Sequence, residues 1–90
     1  MVAKAGSREA ALIARYIDAD PNGRGPAEAR LVEYGTSVWA LVAYWRACEG
    51  DAAAVAQDHH IPIEAVEAAL AYYERHKSLI DARLLLNSAA

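Results

Sequence analysis

The feature that most constrains this chain is a run of three helix-forming segments separated by two short breaks. Glycine at one break and proline at the other are residues that commonly end or begin a helix. A short helix, a turn of three or four residues and a longer helix, all packed on a preceding helix, is the outline of a helix-turn-helix unit. The segments are residues 37–48, 51–58 and 63–76, with Gly50 and Pro62 at the breaks.

Apolar residues fall on one face of the first and third segments, at the spacing of an amphipathic helix. A fourth apolar segment, residues 78–87, predicts a C-terminal helix, and its five large aliphatic residues exceed what one narrow stripe needs. We therefore predict a mainly α fold, in which a tri-helical helix-turn-helix core and the C-terminal helix together form a helical core over residues 37–87. The two faces are formed by Val38, Leu41, Val42 and Trp45, and by Ile63, Val66, Leu70 and Tyr73.

The N-terminal part has weaker patterns, within a chain short enough to form one domain of residues 1–90. We expect residues 1–6 to be mobile and a short helix to run from Ser7 to about Ala14. Residues 15–18 fit either an extension of that helix or a strand. Two prolines and two glycines predict a loop over residues 19–28, and residues 29–34 favour a short strand. A strand or hairpin should thus precede the helical core.

Charge is distributed unevenly along the chain, whose net charge is −3. Residues 1–48 carry six basic and five acidic groups, whereas residues 49–90 carry three and seven. Proteins that bind nucleic acid usually present a basic face, because contacts to phosphate supply most non-specific affinity. The charge balance therefore gives DNA little support as a partner. If DNA binds, the candidate phosphate contacts are Arg24, Arg30 and Arg46.

The residues that could carry chemistry are sparse. Cys48 is the one cysteine, which precludes an intramolecular disulfide and favours a small buried side chain. His59 and His60 are adjacent and more typical of a helix end than of a metal site. No nucleophile with a base, phosphate loop or membrane-length apolar run occurs. We expect no catalytic residue, cofactor, metal or membrane partner, no signal peptide, and a cytoplasmic protein that is not an enzyme.

The chain has more large apolar side chains than one small core can bury, which predicts an interface with another protein chain. Aromatic residues bury much area per residue, and Tyr72 lies off the face that holds Tyr73, so we expect it to be partly exposed. A homodimer would cover the remaining apolar surface. The candidate interface residues are Trp39, Tyr72, Leu84 and Leu85.

Two stretches of the sequence resemble the bacterial domain of unknown function 433. They are VWALVAYW at residues 38–45 and AVAQDHHIPIEAVEAALAYYERHKSLIDARL at residues 54–84. The resemblance implies a homeodomain-like helix-turn-helix core and an antitoxin-like role, beside a toxin of the ribonuclease type. This chain departs from the family pattern at Ser37, where arginine is expected, and at Pro62, where serine or threonine is common.

We thus expect an antitoxin-like component of a toxin–antitoxin pair. It should form a homodimer that binds a toxin protein, and DNA is a further candidate partner. The alternative is a protein-interaction or dimerisation module that binds no nucleic acid. Neither activity follows from composition or spacing; the first depends on the resemblance.

Overall fold

The computed structural model describes the backbone of residues 3–89 and the side chains of residues 8–88. Within these residues the fold is mainly helical, with five α-helices and one small antiparallel sheet. The fold prediction is confirmed at this level. In chain order the elements are α1 (Ala3–Tyr16), β1 (Ile17–Asp18), two 3₁₀ turns (Pro21–Gly23 and Pro26–Glu28), β2 (Arg30–Leu31), α2 (Val38–Ala47), α3 (Ala52–His59), α4 (Ile63–Arg75) and α5 (Lys77–Ala89).

Residues 15–18, for which the sequence left helix and strand open, contain both. The first helix continues to Tyr16, and the next two residues form β1, in which Ile17 pairs with Leu31 of β2. The helix begins earlier than expected, at Ala3, so only Met1 and Val2 of the segment expected to be mobile lie outside the described residues. The predicted strand is present but short.

Helix α4 is the axis of the domain. Seven of its residues are buried, and four of these are alanines, which allow neighbouring helices to approach closely. Helices α1, α2, α3 and α5 all pack against it. The predicted stripe of large residues is therefore only part of its buried face, since Ile63 is 37% exposed and Leu70 is half-buried. The buried residues of α4 are Ala65, Val66, Ala68, Ala69, Ala71, Tyr72 and Tyr73.

The helix boundaries follow local chemistry. Asp51 caps α3, since its carboxylate accepts a hydrogen bond from the amide of Ala54 at 3.1 Å. Ser37 occupies the corresponding position before α2, but its side chain makes no capping hydrogen bond. The backbone of Ser37 instead forms an isolated antiparallel bridge with Arg30, which connects the start of α2 to β2.

Helix α2 ends in a left-handed turn at a residue that is not glycine. Glu49 has φ of 57°, the amide of Gly50 donates to the carbonyl of Trp45, and that of Glu49 donates to Arg46. This pair of bonds is the Schellman arrangement, in which glycine normally supplies the left-handed position. A side chain at such a φ carries a steric cost that glycine does not.

We therefore expect Glu49→Gly to raise the free energy of unfolding by about 0.5–1 kcal/mol, because it relieves a steric cost of about 1–2 kcal/mol and adds a smaller entropic cost of glycine in the unfolded chain. Chemical denaturation measures the change. Glu33→Gly is the matched control, because Glu33 lies in an exposed turn and is not among the positive-φ residues. It should be neutral or destabilising. If both variants changed stability by the same amount, backbone strain at Glu49 would not be the cause.

Candidate functional site

The exposed side of α4 is a narrow acidic edge. We use "acidic edge" for Glu64, Glu67 and Glu74, which lie on the outer side of α4; Glu64 and Glu74 are exposed, and Glu67 is half-buried beside α1. Helix α1 runs beside this edge and contributes an exposed ion pair, Arg8 to Glu67 at 2.9 Å. Exposed pairs of this kind add little stability. The edge is therefore a surface feature and not a structural core.

A shallow groove lies between α1 and the acidic edge. Its volume is about 260 Å³, and it is partly open to solvent. Its floor is apolar and its rim is mainly acidic, with one arginine against three glutamates. The residues that line it are Arg8, Glu9, Leu12, Glu67, Leu70, Ala71 and Glu74.

The acidic edge is unsuited to reading DNA. The N-terminal turns of α4 would have to present Ile63, Glu64, Glu67 and Ala68 to the major groove. Ala68 is fully buried and cannot contact a base. The glutamates repel phosphate, although a carboxylate can accept from cytosine N4.

The three arginines proposed as phosphate contacts lie on three different elements. Arg24 follows the first 3₁₀ turn and is exposed. Arg30 is exposed on β2, opposite Asp18 in the sheet register. Arg46, in the last turn of α2, is held by partners within the chain. Arg46 therefore makes a structural contact. Of the three candidates, Arg24 and Arg30 make no ion pair with another described side chain.

Arg46, Tyr73 and Asp81 form a polar clasp that joins α2, α4 and α5. Arg46 donates to the Tyr73 hydroxyl and to Asp81 Oδ1 (2.9 Å), and the hydroxyl donates to the same carboxylate oxygen at 2.7 Å. The bond from Tyr73, followed by that from Arg46, lowers the pKa of Asp81. Because folding lowers the pKa of Asp81, the clasp adds its full contribution to the free energy of unfolding at pH values above the ordinary aspartate range. That contribution is lost as the pH falls through the lowered pKa of the folded state.

A second polar contact fixes α5 on its other side. Arg83 Nε donates to Glu28 Oε2 at 2.7 Å, and the guanidinium lies 4.3 Å from the centroid of the Trp39 ring. Ile80 between the two contacts is fully buried. Within residues 80–84, Ile80, Asp81, Arg83 and Leu84 therefore attach α5 to the rest of the domain. Nothing in the sequence periodicity identifies these long-range partners.

The four predicted interface residues have different environments. Tyr72 was expected to be partly exposed, and this is wrong, because it is 2% exposed. Its hydroxyl donates to the Pro26 carbonyl at 2.8 Å and its ring stacks on His76, so a second chain cannot reach it. Trp39 and Leu84 are half-buried against the core, whereas Leu85 is 71% exposed.

Helix α5 presents an uncharged outward face. We define the "outward face of α5" as Ser78, Leu79, Ala82, Leu85 and Leu86, all of which are exposed. Leu79, Leu85 and Leu86 are 48%, 71% and 67% exposed. Leucines spaced in this way on one side of a helix form a stripe that a partner can cover.

Tyr44, Asp58 and His59 form a small cluster between α2 and α3. The Tyr44 hydroxyl donates to Asp58, which raises the pKa of Tyr44 to about 12. The His59 ring meets the Tyr44 ring edge-on at 4.8 Å, and its Nδ1 lies 3.2 Å from the Val55 carbonyl. His59 ends α3, as predicted. Among the described residues, no group of three His, Cys, Asp or Glu side chains is placed to hold a metal ion.

Comparison of the chain with protein-family models, curated proteins and solved structures finds no match in any of the three. No helix in the described part of the chain has the length and apolarity to cross a membrane. The two surfaces that the described residues offer to a partner are the acidic edge of α4 and the outward face of α5.

Proposed function

We propose that this chain is an antitoxin-like protein of the domain of unknown function 433 type, which acts by binding a partner protein. The observation that carries the proposal is the acidic edge. The solvent-facing side of the helix that would read DNA bears Glu64, Glu67 and Glu74, and three carboxylates there disfavour phosphate and favour a basic protein surface.

The proposed architecture of the binding domain is a homeodomain-like helix-turn-helix formed by α2, α3 and α4. Three observations support it: α3 is short, α4 is longer, and the connection between them is only His60 to Pro62. His60 has φ of 56°, the left-handed conformation common in a tight turn between helices. In this proposal the unit is a scaffold that displays the acidic edge and does not enter a DNA groove.

The chemistry of a ribonuclease-type toxin fits the acidic edge. An enzyme that binds RNA must attract a phosphate backbone, so it presents basic side chains around its active site. An opposing row of carboxylates would be attracted to such a surface and could compete with RNA for it. The groove beside the edge, with Leu12 and Leu70 in its lining, offers apolar contact next to these charges. The proposal places the protein in the cytoplasm, where RNA is cleaved, and assigns it no catalytic role.

Co-expression with the product of the adjacent gene tests the proposal. The wild-type chain should restore growth and co-purify with that product. Combined Glu64→Lys, Glu67→Lys and Glu74→Lys substitutions should abolish rescue and weaken binding by about 100-fold, at roughly 1 kcal/mol for each reversed rim charge. Circular dichroism establishes that the variant is folded.

The matched control is Glu33→Lys, which makes the same charge change at an exposed turn remote in sequence from α4. It should retain rescue. If the triple variant still neutralised the partner with unchanged affinity, the acidic edge would not be the binding surface. If the wild-type chain bound nothing and protected nothing, the antitoxin-like role itself would be contradicted.

A second candidate is a protein-interaction module with no toxin and no nucleic acid. The uncharged outward face of α5 favours it, because such a face suits protein association whatever the partner does. Stable self-association in solution, together with no growth phenotype in co-expression, would select this candidate.

A further inference from the structure

Asn22 and Gly23 form the one asparagine–glycine pair in the sequence, and they lie in the loop between β1 and β2. Both residues are exposed, and both have a positive φ, 57° at Asn22 and 68° at Gly23. A Cβ built on Gly23 would meet no atom of the described residues within 4 Å. Because glycine has no side chain to obstruct the approach, its nitrogen can reach the side-chain carbonyl carbon of a preceding asparagine.

The backbone at Asn22 already has part of the geometry that such an approach needs. A five-membered ring that joins the Asn22 Cγ to the Gly23 nitrogen requires ψ near about −120°, which with φ near about 60° is the first position of a type II′ turn. The φ of 57° fits this turn, and only ψ, now 28°, must rotate. The hydrogen bonds that oppose the rotation are long, 3.3 Å from the Gly23 amide to the Asp20 carbonyl and 3.2 Å from the Arg24 amide to the Pro21 carbonyl.

We propose that Asn22 is a site of spontaneous modification, at which the side-chain amide is converted through a succinimide to aspartate and isoaspartate. The Gly23 nitrogen forms a bond to the Asn22 Cγ, the Cγ–Nδ2 bond breaks, and the amide proton leaves with the side-chain nitrogen as ammonia. Water then opens the ring. Attack at Cγ gives aspartate, and attack at the main-chain carbonyl carbon gives isoaspartate, in which the chain continues through Cγ. The reaction consumes only water, and the inference does not depend on any partner of the chain.

The isoaspartate product would change the loop that covers one end of α4. It lengthens the main chain by one carbon at residue 22, between the two ends of a hydrogen bond of 2.6 Å from the Gly25 amide to the Asp20 carboxylate. The same loop is attached to α4 by the Tyr72 hydroxyl, which donates to the Pro26 carbonyl at 2.8 Å. We therefore expect isoaspartate to loosen this attachment. The new carboxylate is ionised at neutral pH and makes the net charge of −3 one unit more negative.

Incubation of the folded chain in mildly alkaline buffer, followed by proteolysis and liquid chromatography with mass spectrometry, tests the site. Asn87 is the internal control, because it is the other asparagine of the chain and is exposed within α5, where a helical ψ of about −42° keeps the next nitrogen away from its side chain. Asn22 should convert at least about tenfold faster than Asn87, to two products of equal mass, and Gly23→Ala should slow it by at least about tenfold. Circular dichroism establishes that Gly23→Ala is folded.

The Asn22→Asp chain is the matched control for the structural effect, since it has the same mass and charge as the isoaspartate form. It should unfold at nearly the wild-type temperature, because aspartate also tolerates a left-handed backbone, whereas the purified isoaspartate form should unfold at a lower temperature. Equal conversion of Asn22 and Asn87 would overturn the proposal. So would an Asn22 that stays intact in the folded chain while the chain unfolded in guanidinium converts it. An isoaspartate form as stable as Asn22→Asp would overturn the effect assigned to the loop.

Discussion

Replacing Leu41 with alanine will lower the free energy of unfolding by about 3–5 kcal/mol, the range for leucines in well-packed cores. Leu41 is 1% exposed and lies in the single cluster that joins α2 to α4, β2 and α5. A domain of this size has about 5–15 kcal/mol of stability. The variant should therefore unfold at a markedly lower denaturant midpoint, measured by circular dichroism.

The control for this substitution is Leu85→Ala, which removes the same atoms from a side chain that is 71% exposed. At low micromolar concentration, where self-association contributes least, we expect a change within about 0.5 kcal/mol. If Leu41→Ala and Leu85→Ala destabilised the chain equally, the described core would be wrong.

The helices were predictable because their boundaries are set locally. Asp51, Gly50 and Pro62 are residues whose backbone or capping chemistry acts within a few positions, and the observed ends of α2, α3 and α4 lie within one residue of the predicted ones. The ambiguity at residues 15–18 also had a local cause: helix α1 ends at Tyr16, and the strand follows without a break.

The faces of the helices were less predictable. A periodicity based on large residues missed the buried alanines of α4, because alanine is compatible with both surface and core. Tyr72 was misplaced for a different reason, since the partners that bury it, Pro26 and His76, come from a 3₁₀ turn and a helix end. Local spacing carries no information about which loop will cover a given face.

The polar contacts of α5 were beyond the reach of the sequence alone. Arg46 was a candidate for phosphate binding because it is basic, yet it is tied to Asp81, 35 residues later in the chain. Such a pairing depends on the tertiary arrangement. A usable signal was the placement of Asp81 and Arg83 among the large aliphatic residues of α5, because a charged side chain beside a core is commonly paired.

The second prediction with a large expected effect concerns the affinity of the chain for duplex DNA. Non-specific binders reach dissociation constants of about 10⁻⁴–10⁻⁶ M at physiological salt, through phosphate neutralisation. The acidic edge replaces that attraction with repulsion, and Arg46 is already engaged. We therefore expect the wild-type chain to bind duplex DNA more weakly than this range. The triple lysine variant of the acidic edge should bind more tightly than wild type at low salt, whereas Glu33→Lys should gain less.

The central claim is that the exposed side of α4 binds protein and not DNA. A fluorescence-anisotropy titration tests it most directly, with a labelled duplex from the region upstream of the gene. The salt concentration is about 50 mM, because phosphate contacts are strong at low salt. If the exposed side of α4 is a surface for proteins, the wild-type chain will give no saturable signal up to about 100 µM, the weak limit of non-specific binding. Saturable binding in the nanomolar range that weakens steeply with added salt would contradict the account.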